Sequence, residues 1–235
     1  MKALLLHGLS SSPDGWWRVR GWLEDSGWQT ETLALLGHGG RPPAPSYALG
    51  AYVDDIRAAG GRYDLVIGHS LGACVATVIA SEDPGWTTRL VLLDPVWYIP
   101  SGDLPAIAAD QAAELRLTEQ TLRAQKPHWD DRDVAGKLSA IAAVDPAAVT
   151  RTFAEVDRWD LRDAARRILT RTLVLGGDPA VYTMLEPADG YEVAEDAADM
   201  RYIVVPGAGH SPHRDAPAAT RAALEEWLEE PWNAG

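Results

Sequence analysis

The feature that most constrains the fold is a regular alternation of short apolar segments with longer amphipathic segments along most of the chain. Short apolar runs that end at glycine or at an Asp-Pro pair are typical of buried strands in a parallel sheet. We predict such strands over residues 2–6, 28–35, 63–67, 89–93, 172–175 and 202–205. Helices are predicted between or after them, over residues 15–26, 47–59, 73–80 and 217–229. This order predicts an α/β fold: a doubly wound, mainly parallel sheet of about six strands with helices on both faces.

One long stretch interrupts the alternation. Residues 96–167 contain no segment with the pattern of a strand, but they contain amphipathic segments over 107–124 and 147–156, separated by prolines. A loop of this length without secondary structure is uncommon in a compact domain. We therefore predict a single domain over residues 1–235, in which residues 96–167 form a helical lid inserted between two strands.

Charge and composition restrict the class of partner. The formal net charge is −13 and the pI is near 4.8, so the surface repels phosphate backbones and anionic membranes. A single cysteine, Cys74, excludes an internal disulfide and fits a reducing compartment. No apolar run approaches the roughly 18 residues of a membrane span, and the N-terminus lacks the features of a signal peptide. We expect a cytoplasmic protein that binds a small molecule rather than a nucleic acid or a membrane.

Polar residues follow the predicted strands at the points where these strands end. His7, Ser70, Asp94, Asp178 and His210 all occupy such positions. Ligands of open parallel sheets bind at the carboxyl ends of the strands. The sequence therefore predicts one functional site at this edge of the sheet.

The segment Gly68-His69-Ser70-Leu71-Gly72 fits the G-x-S-x-G pattern, and it follows a predicted strand and opens a predicted helix. In that context the glycines permit a very tight turn, which holds the serine hydroxyl out at the edge of the sheet. The positive end of the following helix lies close to that hydroxyl. Ser70 is therefore the candidate nucleophile.

A serine hydroxyl needs a base, and the base needs a carboxylate to orient it. His210 lies in a loop of small residues after the last predicted strand, and His213 is the main alternative. Asp94 and Asp178 both end strands and both precede His210. We favour Asp178, because it follows two glycines that free its side chain. Asp94 is already explained as the point where the chain leaves the sheet for the lid.

The remaining site residues are assigned by position. Two backbone N–H groups should bind an oxyanion, one from Leu71 and the other from Leu9, with Ser10 less favoured. Trp97 and Trp129 flank the predicted lid and are candidates for a substrate pocket. No sequence motif for a metal or for a cofactor is present, so neither is expected.

Five motifs together resemble the α/β-hydrolase superfamily over nearly the whole chain. They are Leu6-His7-Gly8-Leu9, Gly37-His38-Gly39, Gly68-His69-Ser70-Leu71-Gly72, Val174-Leu175-Gly176-Gly177-Asp178 and Gly207-Ala208-Gly209-His210-Ser211. The resemblance implies a catalytic triad of Ser70, Asp178 and His210. The chain departs from the family pattern at its start, where two antiparallel strands usually precede the first motif.

These residues predict a serine hydrolase that cleaves carboxylic esters of small to medium apolar substrates through an acyl-enzyme on Ser70. Lactones, thioesters and amides could use the same groups. The alternatives are a lyase or C–C bond hydrolase with the same triad, and a small-molecule receptor on this fold that does not turn its ligand over. The fold alone does not decide between them.

Overall fold

The computed structural model describes residues 1–231, and the described part contains eight strands. In chain order they are β1 (Lys2–Leu6), β2 (Gln29–Leu33), β3 (Leu65–His69), β4 (Arg89–Leu93), β5 (Tyr98–Ile99), β6 (Trp159–Asp160), β7 (Arg171–Gly176) and β8 (Met200–Val204). Six of them form one parallel sheet in the order β2-β1-β3-β4-β7-β8. The expected doubly wound sheet of about six strands is confirmed.

Helices surround this sheet. In chain order they are α1 (Trp17–Asp25), α2 (Leu49–Ala59), α3 (Leu71–Glu82), α4 (Leu104–Glu114), α5 (Glu119–Gln125), α6 (Asp131–Ala143), α7 (Pro146–Arg151), α8 (Arg162–Arg166), α9 (Pro187–Asp196), α10 (Pro212–Asp215) and α11 (Pro217–Glu229). A short 3₁₀ helix, Pro13–Trp16, precedes α1. Among residues 1–231, no helix is long and apolar enough to cross a membrane.

Side chains of the central strands alternate between two hydrophobic cores, one on each face of the sheet. In β1, Leu4 and Leu6 pack into one core, and Ala3 and Leu5 pack into the other. Helices α2 and α3 cover the first face, whereas α1 and α11 cover the second. Because both faces are covered, the central strands are apolar throughout, and this is why they were recognisable in the sequence.

Residues 96–167 leave the sheet after β4 and return to it at β7, and they contain α4 to α8. The expectation that this insertion has no strand is wrong at one place, since β5 and β6 form an antiparallel ribbon. Tyr98 pairs with Asp160, and Ile99 pairs with Trp159. Strands of two residues are too short to show an alternating pattern, so they could not be predicted from the sequence.

Candidate active site

Ser70 lies at a sharp turn between β3 and α3. Its φ angle is 50°, in a region that residues with a side chain rarely adopt. A Cβ on Gly68 would lie 2.7 Å from the backbone nitrogen of Ala73, and one on Gly72 would lie 2.2 Å from the carbonyl oxygen of Leu6. The tight turn therefore requires both glycines, and it fixes Ser70 at the carboxyl end of the sheet.

His210 contacts the hydroxyl of Ser70. Its Nε2 lies 2.9 Å from Ser70 Oγ, and its Nδ1 lies 2.6 Å from Asp94 Oδ2. With the Nδ1 proton donated to the carboxylate, Nε2 is the ring atom left to accept the hydroxyl proton. This is the orientation that a general base needs. The structure thus brings the two residues predicted as nucleophile and base together.

Asp94 is fully buried and is held by four donors. Its Oδ1 accepts hydrogen bonds from the Gly177 backbone N–H at 3.0 Å and from Thr183 Oγ1 at 2.5 Å. Its Oδ2 accepts from the Met184 backbone N–H at 2.9 Å and from His210. These donors offset the cost of burying a carboxylate. Asp94 is therefore a rigidly held partner for the imidazole.

Asp178, the expected partner of His210, lies elsewhere. Its Oδ1 accepts from the Ala180 backbone N–H and its Oδ2 from the Gly207 backbone N–H, both at 2.9 Å. These backbone hydrogen bonds lower the pKa of the Asp178 carboxyl group. The expected Asp178–His210 contact is not formed, and Asp94 takes that position. Asp178 instead joins the turn after β7 to the turn after β8.

The physical reason for this correction is strand order. β4 lies directly beside β3 in the sheet, so Asp94, at the end of β4, is close to Ser70. Asp178 follows β7, which is one strand further away. Both aspartates precede a proline, so the local sequence does not separate them. An Asp in a turn often accepts a hydrogen bond from the backbone N–H two residues later, as Asp178 does from Ala180. That tendency was the one sequence signal for a structural role of Asp178.

Buried histidines brace the loop that follows β1. His7 Nδ1 donates to the Gly8 carbonyl at 2.8 Å, and its Nε2 accepts from the Leu35 backbone N–H at 3.1 Å. His38 Nε2 accepts from the Ser10 backbone N–H at 3.2 Å. Burial lowers the pKa of His7 to about 3 and that of His38 to about 4. Both rings are therefore neutral at pH 7 and serve as fixed hydrogen-bond partners.

Leu9 and Leu71, the expected oxyanion-binding residues, both line the same cavity as Ser70. Within residues 1–231, neither backbone N–H donates to a protein acceptor. The loop also packs tightly on Ser70, since a Cβ on Gly8 would lie 3.0 Å from the Cβ of Ser70. The two N–H groups expected to bind an oxyanion therefore belong to residues that line the cavity together with Ser70.

The cavity above Ser70 has a volume of about 230 Å³. Its apolar wall comes mainly from the insertion and includes Ile107, Leu117, Leu122, Trp129, Phe153 and Trp159. Charged residues also line the cavity, among them Glu114, Lys126, Lys137 and Arg214, of which Lys137 and Arg214 are buried. These charged residues were not predicted from the sequence, because they come from separate segments with no shared motif.

The two tryptophans proposed for the pocket have different positions. Trp129 lines the cavity, and its Nε1 donates to Asp215 Oδ1 at 2.7 Å. Trp97 does not line the cavity: it is fully buried, and its Nε1 donates to Thr77 Oγ1 at 3.0 Å. The physical reason is that Trp97 lies at the very start of the insertion, close behind β4, where its ring packs against α3.

In the part of the chain that the structure describes, no group of three or more His, Cys, Asp or Glu side chains has an arrangement that could hold a metal ion. Cys74 is buried beneath the nucleophile turn, and its Sγ donates to the Val96 carbonyl at 3.2 Å. Burial raises the pKa of the Cys74 thiol to about 12, so it is a packing residue and not a thiolate ligand.

Comparison with known proteins gives the same family from independent data. The model of the alpha/beta hydrolase family matches residues 3–223. The chain is 24% identical to 2-(acetamidomethylene)succinate hydrolase from Mesorhizobium japonicum, over 96% of this chain and 87% of that protein. It is 26% identical to an sn-1-specific diacylglycerol lipase from Mus musculus, over 96% of this chain and 80% of that protein.

A solved structure of an E-2-(acetamidomethylene)succinate hydrolase superposes with a TM-score of 0.80. It is 22% identical, and the match covers 97% of this chain and 92% of the other. At this identity the likeness concerns the fold. The family match over residues 3–223 and these relatives agree with the sharp turn at Ser70. The chain therefore belongs to the alpha/beta hydrolase family and is an enzyme of that type.

Proposed function

We propose that this enzyme hydrolyses small carboxylic esters through an acyl-enzyme on Ser70. The observation that carries the proposal is the chain of contacts from Ser70 Oγ to His210 Nε2 at 2.9 Å, and from His210 Nδ1 to Asp94 Oδ2 at 2.6 Å. A neutral hydroxyl attacks an ester slowly unless a base removes its proton. These three side chains are arranged to do this, and Asp94 replaces Asp178 in the proposed triad.

Acylation begins when Ser70 Oγ attacks the ester carbonyl carbon and its proton passes to His210 Nε2. The carbonyl oxygen becomes an oxyanion, to which the N–H groups of Leu9 and Leu71 donate. Asp94 stabilises the imidazolium that forms and keeps the ring in place. The tetrahedral intermediate then collapses: the C–O bond to the leaving group breaks, and His210 returns the proton to the departing alkoxide.

Deacylation repeats these steps with water as the nucleophile. His210 Nε2 takes a proton from the water, whose oxygen attacks the acyl carbon of the Ser70 ester. The same N–H groups bind the second oxyanion, and the proton then returns to Ser70 Oγ as the acid is released. The net reaction consumes one ester and one water and yields one acid and one alcohol.

The size and walls of the cavity support a small substrate. A volume of about 230 Å³ is below the roughly 300–1,000 Å³ of most small-molecule pockets. Ile107, Trp129 and Trp159 of the insertion form part of the apolar wall. This supports the proposal that residues 96–167 act as a lid, which would exclude water from the reacting groups.

Amide hydrolysis is the second candidate. The observation favouring it is the relative named 2-(acetamidomethylene)succinate hydrolase, whose name contains an acetamido group. The same groups could cleave an amide, because His210 could protonate a departing amine as it would an alkoxide. The lyase, C–C hydrolase and receptor alternatives rest on the same residues, and the test below separates the receptor from the ester and amide hydrolases.

The test measures turnover of 4-nitrophenyl acetate, butyrate and octanoate and of matched 4-nitroanilides. We expect ester turnover that falls with acyl length, and a Ser70→Ala variant with a kcat lower by about 10³-fold or more at unchanged Tm. Ser139→Ala, an exposed serine of α6, is the matched control and should behave as the parent. Residual activity of Ser70→Ala within tenfold of the parent would exclude the serine mechanism.

Anilide turnover without ester turnover would favour the amidase. No turnover of either class, together with tight ligand binding, would favour a receptor.

A further inference from the structure

Arg214 is a buried guanidinium in the wall of the active-site cavity. It lies in α10, four residues after His210, and only 6% of it is exposed. Its Nη2 donates to Ser11 Oγ at 3.1 Å, and its guanidinium carbon lies 5.2 Å from the centre of the Trp129 ring. Within residues 1–231, its buried Nε has no hydrogen-bond partner. A guanidinium has five N–H donors, so this one is far from satisfied.

The carboxylates nearest to Arg214 are already paired with other cations. Asp133 binds Arg18 at 2.8 Å, Asp215 binds Lys126 at 3.1 Å, and Glu114 binds Lys137 at 2.6 Å. In the part of the chain that the structure describes, no carboxylate oxygen lies within 4 Å of the Arg214 guanidinium.

Each of these carboxylates is thus engaged by another cation, and the Arg214 guanidinium has no bonded counter-ion among residues 1–231. A buried cation without a bonded counter-ion is costly unless a partner compensates its charge.

The position of Arg214 indicates that a bound substrate is the source of its negative counter-charge. Arg214 lines the same cavity as Ser70 and His210, and Lys126 lies on that wall as well. Burial lowers the pKa of Arg214, yet a guanidinium remains protonated at any physiological pH. A substrate held by the reacting groups therefore shares its cavity with a permanent cation that has free donors.

We propose that Arg214 binds a carboxylate of the substrate, so that the preferred substrates are half-esters of short dicarboxylic acids. This inference rests on the proposed function, since it assigns a substrate class to the same site. The planar fork of a guanidinium matches a carboxylate with two parallel hydrogen bonds. A phosphate dianion fits less well, because Glu114 and Asp110 line the same cavity and only one cation there is unpaired.

The alternative is a purely structural role, in which Arg214 holds Ser11 and Trp129 in place. The two roles differ in how the rate depends on substrate charge. Loss of a structural contact slows all esters alike, whereas loss of a carboxylate site affects only the charged ones and acts chiefly through KM.

The test compares mono(4-nitrophenyl) succinate with its neutral methyl ester, using the full-length parent enzyme. We expect kcat/KM to be at least about tenfold higher for the charged ester, as a charge-assisted hydrogen bond implies. Arg214→Met should remove this preference, with a loss of kcat/KM about tenfold greater for the charged ester than for the neutral ester. Arg214→Lys should keep part of the preference, because it retains the charge but loses the fork. Arg221→Met, on the exposed face of α11, is the matched control and should keep all of it.

Binding of monomethyl succinate to the Ser70→Ala variant, measured by calorimetry, separates the two proposals. Turnover of both esters without a charge preference in the parent would overturn the carboxylate site and leave the esterase standing. Arg214-dependent binding without ester turnover would overturn the esterase and leave the carboxylate site standing. An equal loss on both esters in Arg214→Met would assign Arg214 a structural role. If Arg214→Met does not fold, the parent's charge preference and its partial loss in Arg214→Lys decide.

Discussion

At the residue scale, the hydrogen bonds of Asp94 explain why this residue, and not Asp178, is the partner of His210. Asp94 accepts from Gly177, Thr183 and Met184, and these donors direct its remaining lone pair at His210. The φ of 40° at Asp94 is a strained value that the surrounding structure must hold in place. Strain combined with a complete set of hydrogen bonds is typical of a functional carboxylate.

Substitution of each aspartate by asparagine tests this assignment. Asp94→Asn should lower kcat by about 10²–10⁴-fold, because a neutral amide neither orients the correct tautomer of His210 nor stabilises its charge. Asp178→Asn should keep kcat within about tenfold, and should mainly lower Tm through its hydrogen bond to the Gly207 N–H. Steady-state kinetics and thermal unfolding of both variants check this. A folded but inactive Asp178→Asn beside a fully active Asp94→Asn would reverse the assignment.

At the element scale, the contact between β1 and α3 fixes the position of Ser70, the proposed nucleophile. Gly72 is the second residue of α3, and its backbone touches the carbonyl of Leu6 at the end of β1. The two elements can approach so closely only because position 72 has no side chain. The loop after β1, which carries Leu9, is thereby held against the turn that carries Ser70.

Gly72→Ala should therefore be severe, since its Cβ would lie 2.2 Å from a backbone oxygen that cannot move freely. We expect a loss of unfolding free energy of about 1–3 kcal/mol or more, together with lower activity. Gly50→Ala is the matched control: Gly50 is also the second residue of a helix, α2, but nothing lies within 4 Å of its added Cβ. It should stay within about 1 kcal/mol of the parent. Equal stability of the two variants in denaturant titrations would contradict the packing argument.

Sequence-based prediction succeeded for the central strands and for the turn at Ser70, and failed for the order in which the strands pair. The central strands and the turn at Ser70 were predictable, because two-sided burial and the Gly-x-Ser-x-Gly spacing leave strong local patterns. The order β3-β4-β7, which selects Asp94 over Asp178, depends on long-range pairing that no local pattern records. Arg214 was missed for a similar reason, since its neighbours Ser11 and Trp129 are distant in sequence.

At the scale of the whole molecule, buried neutral histidines couple folding to pH. Burial lowers the pKa of His7 to about 3 and of His38 to about 4, and it holds the pKa of His69 and His213 well below the usual range. In the unfolded chain these groups titrate near pH 6.5. Below that pH the unfolded state binds protons that the native state does not, so acidification lowers the stability.

We therefore expect Tm to fall as the pH is lowered from 7.5 to 5, with uptake of about one proton per buried histidine on unfolding at pH 5. The net charge of −13 acts in the opposite direction, because acidification relieves repulsion between surface carboxylates. In 0.15 M salt that repulsion is screened within about 8 Å, and the histidines should dominate. Calorimetry in buffers of different ionisation enthalpy measures the protons taken up. A Tm that stays constant or rises over this range would contradict the account.

The central claim is that Ser70 is the activated nucleophile, and covalent capture tests it most directly. The parent enzyme is incubated with a fluorophosphonate, its intact mass is measured, and the modified peptide is sequenced. We predict one adduct per chain, located on Ser70, absent from Ser70→Ala and formed much more slowly in Asp94→Asn. The absence of an adduct on the parent, or equal labelling of Ser70→Ala, would contradict the claim.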